Sequence, residues 1–209
     1  MAEQPDACPR AALRPALVLA AGSSLRMGRA KGLLSWGELT LLGHAINQAR
    51  TLSPDVWVVA GCYYPLLRYR TGQRPTRWVY NADWRKGLSS SLRAGLGALP
   101  ARAVGAYVVL ADQPLIAASG LMQLRIAAER AAGSPVATDY GGRAGVPAYL
   151  PRALWAQMSD LQGDRGAASV LAAVGAERIS LPGAELDVDT PSDWRKACQS
   201  SGLTKFQSL

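Results

Sequence analysis

The apolar residues of this 209-residue chain gather into short runs, separated by intervals wide enough to hold helices. Segments 16–19, 56–60, 77–80, 107–111 and 136–138 are rich in Val, Leu, Ala, Trp and Tyr and read as strands. Between them the spacing turns helical. Segment 40–52 places Leu42, Ile46, Ala49 and Leu52 on one face, and 88–99 repeats Leu88, Leu92, Leu96 and Leu99. Strands that alternate with helices predict a mostly parallel sheet, because parallel neighbours need crossover connections. Segments 16–19 and 56–60 are apolar at every position, as expected of strands covered on both faces. The predicted fold is therefore α/β, a three-layer open sandwich around a Rossmann-like sheet.

After residue 138 the rhythm changes. A glycine-rich 140–147 leads into an extended 146–150, followed by helices near 151–158 and 165–174. No linker rich in Pro, Ser or charge sets this part off, so it reads as a substrate-side elaboration of a single domain over 15–198. Segments 1–14 and 199–209 lack periodicity and are expected to be loose termini.

Composition narrows the class. Apolar residues make up 49% and charged residues 18%, too apolar for general disorder. Cys8, Cys62 and Cys198 lie far apart without C-x-x-C spacing, which neither builds a disulfide framework nor a metal site. The apolar run at 15–21 is too short to span a bilayer, so the expectation is a cytoplasmic protein with no membrane partner. The net charge of +8 is unevenly placed: residues 1–105 hold 14 basic against 5 acidic residues, and 106–209 hold 9 against 10. Such a field attracts anions. The basic residues are singly spaced and carry no nucleic-acid-reading motif, so a small anion is expected and nucleic acid is not.

The candidate chemistry begins where the first strand ends, at AAGSSLRMGRAK, residues 20–31. A glycine-rich turn leaving a parallel strand exposes backbone N–H groups that can wrap phosphate oxygens. Ala20, Ala21, Gly22, Ser23 and Ser24 would form that cradle, with Gly28 easing its far turn. Arg26 and Lys31 would bring positive charge to oxygens that grow more negative during phosphoryl attack. The spacing matches neither G-x-x-x-x-G-K-[ST] nor G-x-G-x-x-G, which disfavours a Walker ATPase or a Rossmann dehydrogenase. Asp112 follows an apolar strand and would sit at the sheet's carboxyl edge, where α/β proteins bind ligands; it could hold Mg²⁺ or simply shape the turn before Pro114. Asp187 and Asp189 would face one way in an extended segment, though either could instead cap a helix at 191–197. His44, the one histidine, lies opposite the apolar face of its helix and is expected to be exposed; no acyl-transfer constellation assembles around it.

The segment LAAGSSLRMGRAKGLLSWGELTLL resembles the signature of the molybdenum-cofactor nucleotidyltransferases, most closely their molybdopterin cytidylyltransferase branch. The likeness continues in order through NADWRKGLSSSL, LADQPLI, GVPAYL, LQGDRGAASVL and LDVDTPSDW, covering about residues 15–197. The resemblance implies a sheet of the nucleotide-diphospho-sugar transferase type and transfer of CMP from CTP to molybdopterin or its molybdenum-loaded form, with release of pyrophosphate. It implies Mg²⁺ on Asp112 and Asp189, with catalytic roles for Arg26, Lys31 and Asp112. Gly87 and Ser91 match positions near the base, although a serine cluster at a helix start serves equally well as a cap. The loop holding Arg143, Gly145 and Pro147 matches the acceptor side. Gly163–Gly166 would close over the same side, with Asp164 as a cap for the helix at 165–174 the plainer alternative. Val146 stands where that branch often has the histidine of G-H-P, which leaves the acceptor's identity open. A transient contact with a molybdoenzyme or its chaperone is also implied. Guanylyl transfer, another phosphorylated acceptor, or a nucleotide-binding or redox relative that transfers nothing are the alternatives.

Overall fold

A computed structural model describes residues 12–203 apart from 132, 162, 164 and 165. The expectation for Asp164 and most of those for the two termini therefore fall outside the described residues. The chain runs β1 (Ala16–Ala20), β2 (Ser35–Trp36), β3 (Leu39–Thr40), α1 (Leu41–Leu52), β4 (Val56–Ala60), α2 (Tyr64–Arg70), β5 (Arg77–Tyr80) and α3 (Leu88–Ala98). It continues through β6 (Gly105–Leu110), α4 (Ala118–Arg130), β7 (Val136–Asp139), β8 (Ala144–Pro151), α5 (Trp155–Ser159), α6 (Ala168–Ala173), β9 (Glu177–Ile179) and α7 (Pro191–Ser200).

Seven strands form one sheet in the order β5-β4-β1-β6-β8-β7-β9, and β2 and β3 form a small separate hairpin. Within the large sheet β8 alone runs antiparallel to its neighbours β6 and β7. The three-layer expectation holds. Alternate residues of β1 separate cleanly: Ala16 and Val18 join a core with α1, α4 and Leu67 of α2, while Leu17 and Leu19 join one with α3, α5 and α6. That division is why every position of β1 and β4 is apolar.

The elaboration expected after residue 138 is corrected. Strand β8 enters the middle of the main sheet; of the glycine-rich segment, 140–143 is the turn joining it to β7 and 144–147 is the start of β8 itself. Tyr149 of β8 packs its ring 5.3 Å from that of Tyr107 on β6, an aromatic pairing that fixes the inserted strand in the core. A bulge between Ala137 and Thr138 leaves Thr138 fully enclosed, and its hydroxyl donates to the Pro147 carbonyl at 2.7 Å. Helix α7 runs past the expected domain boundary to Ser200, and Thr190 and Asp193 close a capping box at its start.

A third apolar cluster lies outside the two faces of the sheet. Met27, Leu34, Trp36 and Leu41 from the first part of the chain meet Val188, Trp194, Ala197 and Cys198 from its end. This cluster brings the loop after β1 and the segment before α7 to the same place. Among the described residues no helix is long and apolar enough to cross a membrane.

Candidate active site

The loop after β1 turns on two left-handed residues. Ser24 (φ 53) and Gly28 (φ 71) bracket the single 3-10 turn Leu25–Met27, with the Ser24 carbonyl accepting from the Met27 and Gly28 amides at 3.0 and 3.1 Å. Met27 points inward to the third cluster, so Leu25 and Arg26 face outward. The Lys31 amide donates to Ser24 Oγ at 3.3 Å, closing the loop on itself. Gly22 has nothing within 4 Å of where a Cβ would stand, and it lines a cavity of about 870 Å³. A side chain at Gly22 would stand in open space at the cavity's edge.

At the floor of that cavity Lys31 Nζ lies 2.5 Å from Asp112 Oδ2 and 2.9 Å from Asp189 Oδ1. Arg26 reaches the other oxygen of Asp189 at 2.7 Å. The two aspartate-bearing segments are also joined through the backbone, with the Val188 amide donating to the Asp112 carbonyl at 2.8 Å. Burial alone would lower the Lys31 pKa, but the charges of Asp112 and Asp189 and their hydrogen bonds outweigh it and hold the amine above its ordinary value. Lys31 is therefore a fixed cation at neutral pH. Asp187 keeps an outer edge in solvent, yet the withdrawal of its carboxyl among its neighbours, with the charge of Asp112 beside it, pushes its pKa up to about 6.

The residues present fit a divalent cation. Asp112 and Asp189 offer hard carboxylate oxygens, one from each meeting on Lys31 Nζ, and Asp112 Oδ1 is buried with no hydrogen-bond partner among the described residues. No group of three or more His, Cys, Asp or Glu with metal-holding geometry occurs among the described residues. The protein would thus supply two ligands and leave the rest to phosphate and water, the usual arrangement for Mg²⁺.

Ala20, Ala21, Gly22, Ser23, Ser24, Arg26, Lys31, Gly87, Ser91, Asp112 and Asp189 all line this one cavity. Arg143, Gly145 and Pro147 do not line it. Pro147 is buried and Gly145 is covered by the Tyr140 ring, so of the three only Arg143 is exposed to solvent.

The serine cluster does not cap α3, whose N-cap is Gly87 with no side-chain bond. Instead Asn81 Nδ2 donates to Ser90 Oγ at 2.9 Å and to Ser91 Oγ at 3.1 Å, in a buried network. Ser90 passes its proton back to the Asp83 and Gly87 carbonyls. Ser91 accepts from Asn81 and keeps its own hydroxyl proton available at the cavity wall. Gly87 holds φ 90, ψ −173, a conformation essentially confined to glycine.

Three contributions were not visible in the sequence. Tyr63, Trp84 and Arg85 line the cavity, and the Arg85 guanidinium stacks 4.4 Å over the Trp84 ring. Gln113 is 3% exposed, and its side chain bonds three groups on two separate segments, Tyr140 on one and Ala184 and Asp187 on the other. His44 is half-buried, not exposed as expected. The loop after β6 covers the polar side of α1, and His44 Nε2 lies 3.0 Å from the Pro114 carbonyl while Gln48 donates to the Ile116 carbonyl at 2.8 Å.

Burial lowers the His44 pKa below 6.5, although the Pro114 carbonyl acts in the opposite direction. A lowered histidine favours the fold when neutral, so this contribution is present above 6.5 and is lost as pH falls from 6.5 through the lower folded value. The melting temperature of the wild type should fall more steeply between about pH 8 and about pH 5 than that of His44→Gln. Parallel melting curves for the two proteins would contradict this.

A cation shared by two acids lies at the carboxyl edge of this sheet, in a cavity lined by the loop after β1, on a fold of the nucleotide-diphospho-sugar transferase type. Residues 16–179 match the family model of the MobA-like NTP transferase domain. The chain is 33% identical to the molybdenum cofactor guanylyltransferase of Pseudomonas aeruginosa PAO1 over 183 residues, covering 83% of this chain and 88% of that protein. The like-named protein of Pseudomonas paraeruginosa is 32% identical over 181 residues, with the same coverage. Among solved structures, Rv0371c of Mycobacterium tuberculosis H37Rv superposes with a TM-score of 0.78 at 27% identity, over 90% of this chain and 98% of that one. Its complex with manganese gives 0.74 at 26% identity, over 90% and 99%. A nucleotidyl transferase of Methanothermobacter shares the fold, with a TM-score of 0.75 at 19% identity over 92% and 99%. This chain belongs to the MobA-like NTP transferase family, within the molybdenum-cofactor nucleotidyltransferase superfamily.

Proposed function

We propose that the protein transfers a nucleoside monophosphate, GMP from GTP, to the terminal phosphate of a molybdopterin-type acceptor and releases pyrophosphate. The observation that carries the reaction is the Lys31 ammonium held between Asp112 and Asp189 at the floor of a cavity lined by the loop after β1. The choice of GTP follows the names of the Pseudomonas relatives, which favour guanylyl over the cytidylyl transfer that the motif resemblance suggests. The manganese complex of Rv0371c supports a divalent cation as part of the working site.

In this reading the loop amides and the hydroxyls of Ser23 and Ser24 bind the triphosphate, and Arg26 and Lys31 neutralise its oxygens. Held by Asp112 and Asp189, Mg²⁺ would supply further charge neutralisation on the phosphates. An acceptor phosphate oxygen attacks the α-phosphorus in line; the new P–O bond forms as the bond to the β-phosphate oxygen breaks, and pyrophosphate leaves with that electron pair. The attacking phosphate is already largely ionised at neutral pH, so the site needs no histidine base; positioning supplies much of the rate. Trp84, Arg85, Gly87 and Ser91 form the wall assigned to the base, where Ser91 can donate its hydroxyl proton.

The test is pyrophosphate release with each nucleoside triphosphate in turn, Mg²⁺ and molybdopterin. Release with GTP and pterin together is the expected result. Release with CTP alone would reverse the base assignment and keep the chemistry. No release with any pair would favour a nucleotide-binding protein without transferase activity.

A further inference from the structure

We propose that Gln113 is a positioning residue that anchors the acceptor-side segment at 140–147, the turn and the start of β8, to the segment carrying Asp189, and so sets acceptor binding without touching either substrate. Gln113 follows Asp112 directly, is almost fully buried, and lies outside the cavity lining. Its side-chain nitrogen lies 3.0 Å from each of Tyr140 Oη, the Ala184 carbonyl and Asp187 Oδ1. An amide has two hydrogens, so three acceptors share them, and the group is held from three directions at once.

The three acceptors belong to two parts of the site. Tyr140 begins the acceptor loop and passes its own hydroxyl proton to the Val146 carbonyl at 2.5 Å. Its ring fills the place where a side chain at Gly145 would stand, 2.6 Å from an added Cβ. Ala184 and Asp187 belong to the segment that delivers Asp189. The 140–147 segment does not itself reach the cavity, and Gln113 is a buried side chain that links Tyr140 to the segment carrying Asp189, beside a longer contact of 3.4 Å from the Tyr140 hydroxyl to the Ala184 carbonyl.

The cost of this arrangement is visible. Gln113 Oε1 is buried with no partner among the described residues, a loss that an apolar side chain of the same length would not carry. What the position needs is a multiple donor, and that need comes from the junction it holds. Arg178, whose guanidinium donates to the Gly142 carbonyl, is a second anchor on the outer side of the same loop.

The inference rests on the reading that the 140–147 loop faces the acceptor. Gln113→Met keeps the length and removes the donor; Tyr140→Phe keeps the ring and removes the acceptor. In both, trypsin should cut after the exposed Arg143 several-fold faster relative to sites elsewhere in the chain, because the loop loses its inner tether. KM for the pterin should rise about tenfold while KM for GTP stays within about twofold. The double variant should be no worse than the poorer single one, as expected when both act through one linkage. Unchanged cleavage and unchanged pterin KM would overturn the proposal, and so would a parallel rise in both KM values, which marks general loosening. A wild type inactive with every triphosphate would refute the proposed reaction instead, while the cleavage rates would still decide whether Gln113 holds the loop.

Discussion

Lys31→Met should lower turnover by roughly 10³-fold, the scale expected when one preorganised charge is removed from a phosphoryl-transfer site. Methionine retains the length of the side chain and deletes only the ammonium that Asp112 and Asp189 now share. Two consequences separate this charge from a generic structural one. The carboxylates that hold the Lys31 pKa above its ordinary value would be left facing each other, so the variant should melt at a lower temperature than wild type in metal-free buffer. Adding Mg²⁺ should restore part of that loss, because the cation takes the place of the ammonium. Near-normal turnover in Lys31→Met would remove the central catalytic role from this residue.

What the sequence revealed follows from which forces act locally. Strands β1 and β4 were placed almost to the residue because burial on the sheet writes an unbroken apolar run, whereas β5, exposed at both ends, was legible from its Trp, Val and Tyr. Helices α1 and α3 were visible through their stripes of Leu, Ile and Ala. Helix α2 was not, because Leu67 is its one buried residue and the rest is Tyr, Pro, Arg and exposed Leu. Strand β8 was seen as extended but not as central, since sheet order is set by pairing partners far away in the chain. The 2-residue strands of the β2–β3 hairpin are too short to generate a period at all.

The same division runs through the site. Phosphate chemistry demands glycine, hydroxyls and fixed cations in one loop, so Gly22, Ser23, Ser24, Arg26 and Lys31 could be assigned from their types and order. Asp112 and Asp189 could be named because a carboxylate after a strand or beside a cap is conspicuous. Gln113, Tyr140, Trp84 and Arg85 carry no such local mark; each matters through a neighbour supplied by tertiary packing. Arg143, Gly145 and Pro147 were assigned by likeness of sequence; they do not line the cavity, and Tyr140 and Gln113 link their segment to the one carrying Asp189. The third apolar cluster explains how residues so distant in the chain meet: Met27 and Val188 share one core, and Arg26 and Asp189 stand immediately beside them on the cavity wall.

Asp112→Asn should also cost roughly 10³-fold in turnover, and for a different reason that a second measurement can isolate. Asparagine preserves the shape and the backbone bond from the Val188 amide to the residue 112 carbonyl, so the segment carrying Asp189 should stay in place. What it removes is one of two hard anionic oxygens and a main support of the Lys31 charge. Binding of Mg²⁺ in the absence of nucleotide, followed by calorimetry or by the spectrum of substituted Mn²⁺, should weaken at least tenfold in Asp112→Asn and should not weaken in Lys31→Met. The Asp187 carboxyl offers an internal check: the charge of Asp112 helps hold it up at about 6, so in metal-free protein its titration should move to lower pH in the asparagine variant. An Asp112→Asn protein that bound Mg²⁺ as wild type does, and turned over at a comparable rate, would leave the buried Asp112 oxygen without a metal to explain it and would reduce the Lys31–Asp112 contact to a structural ion pair.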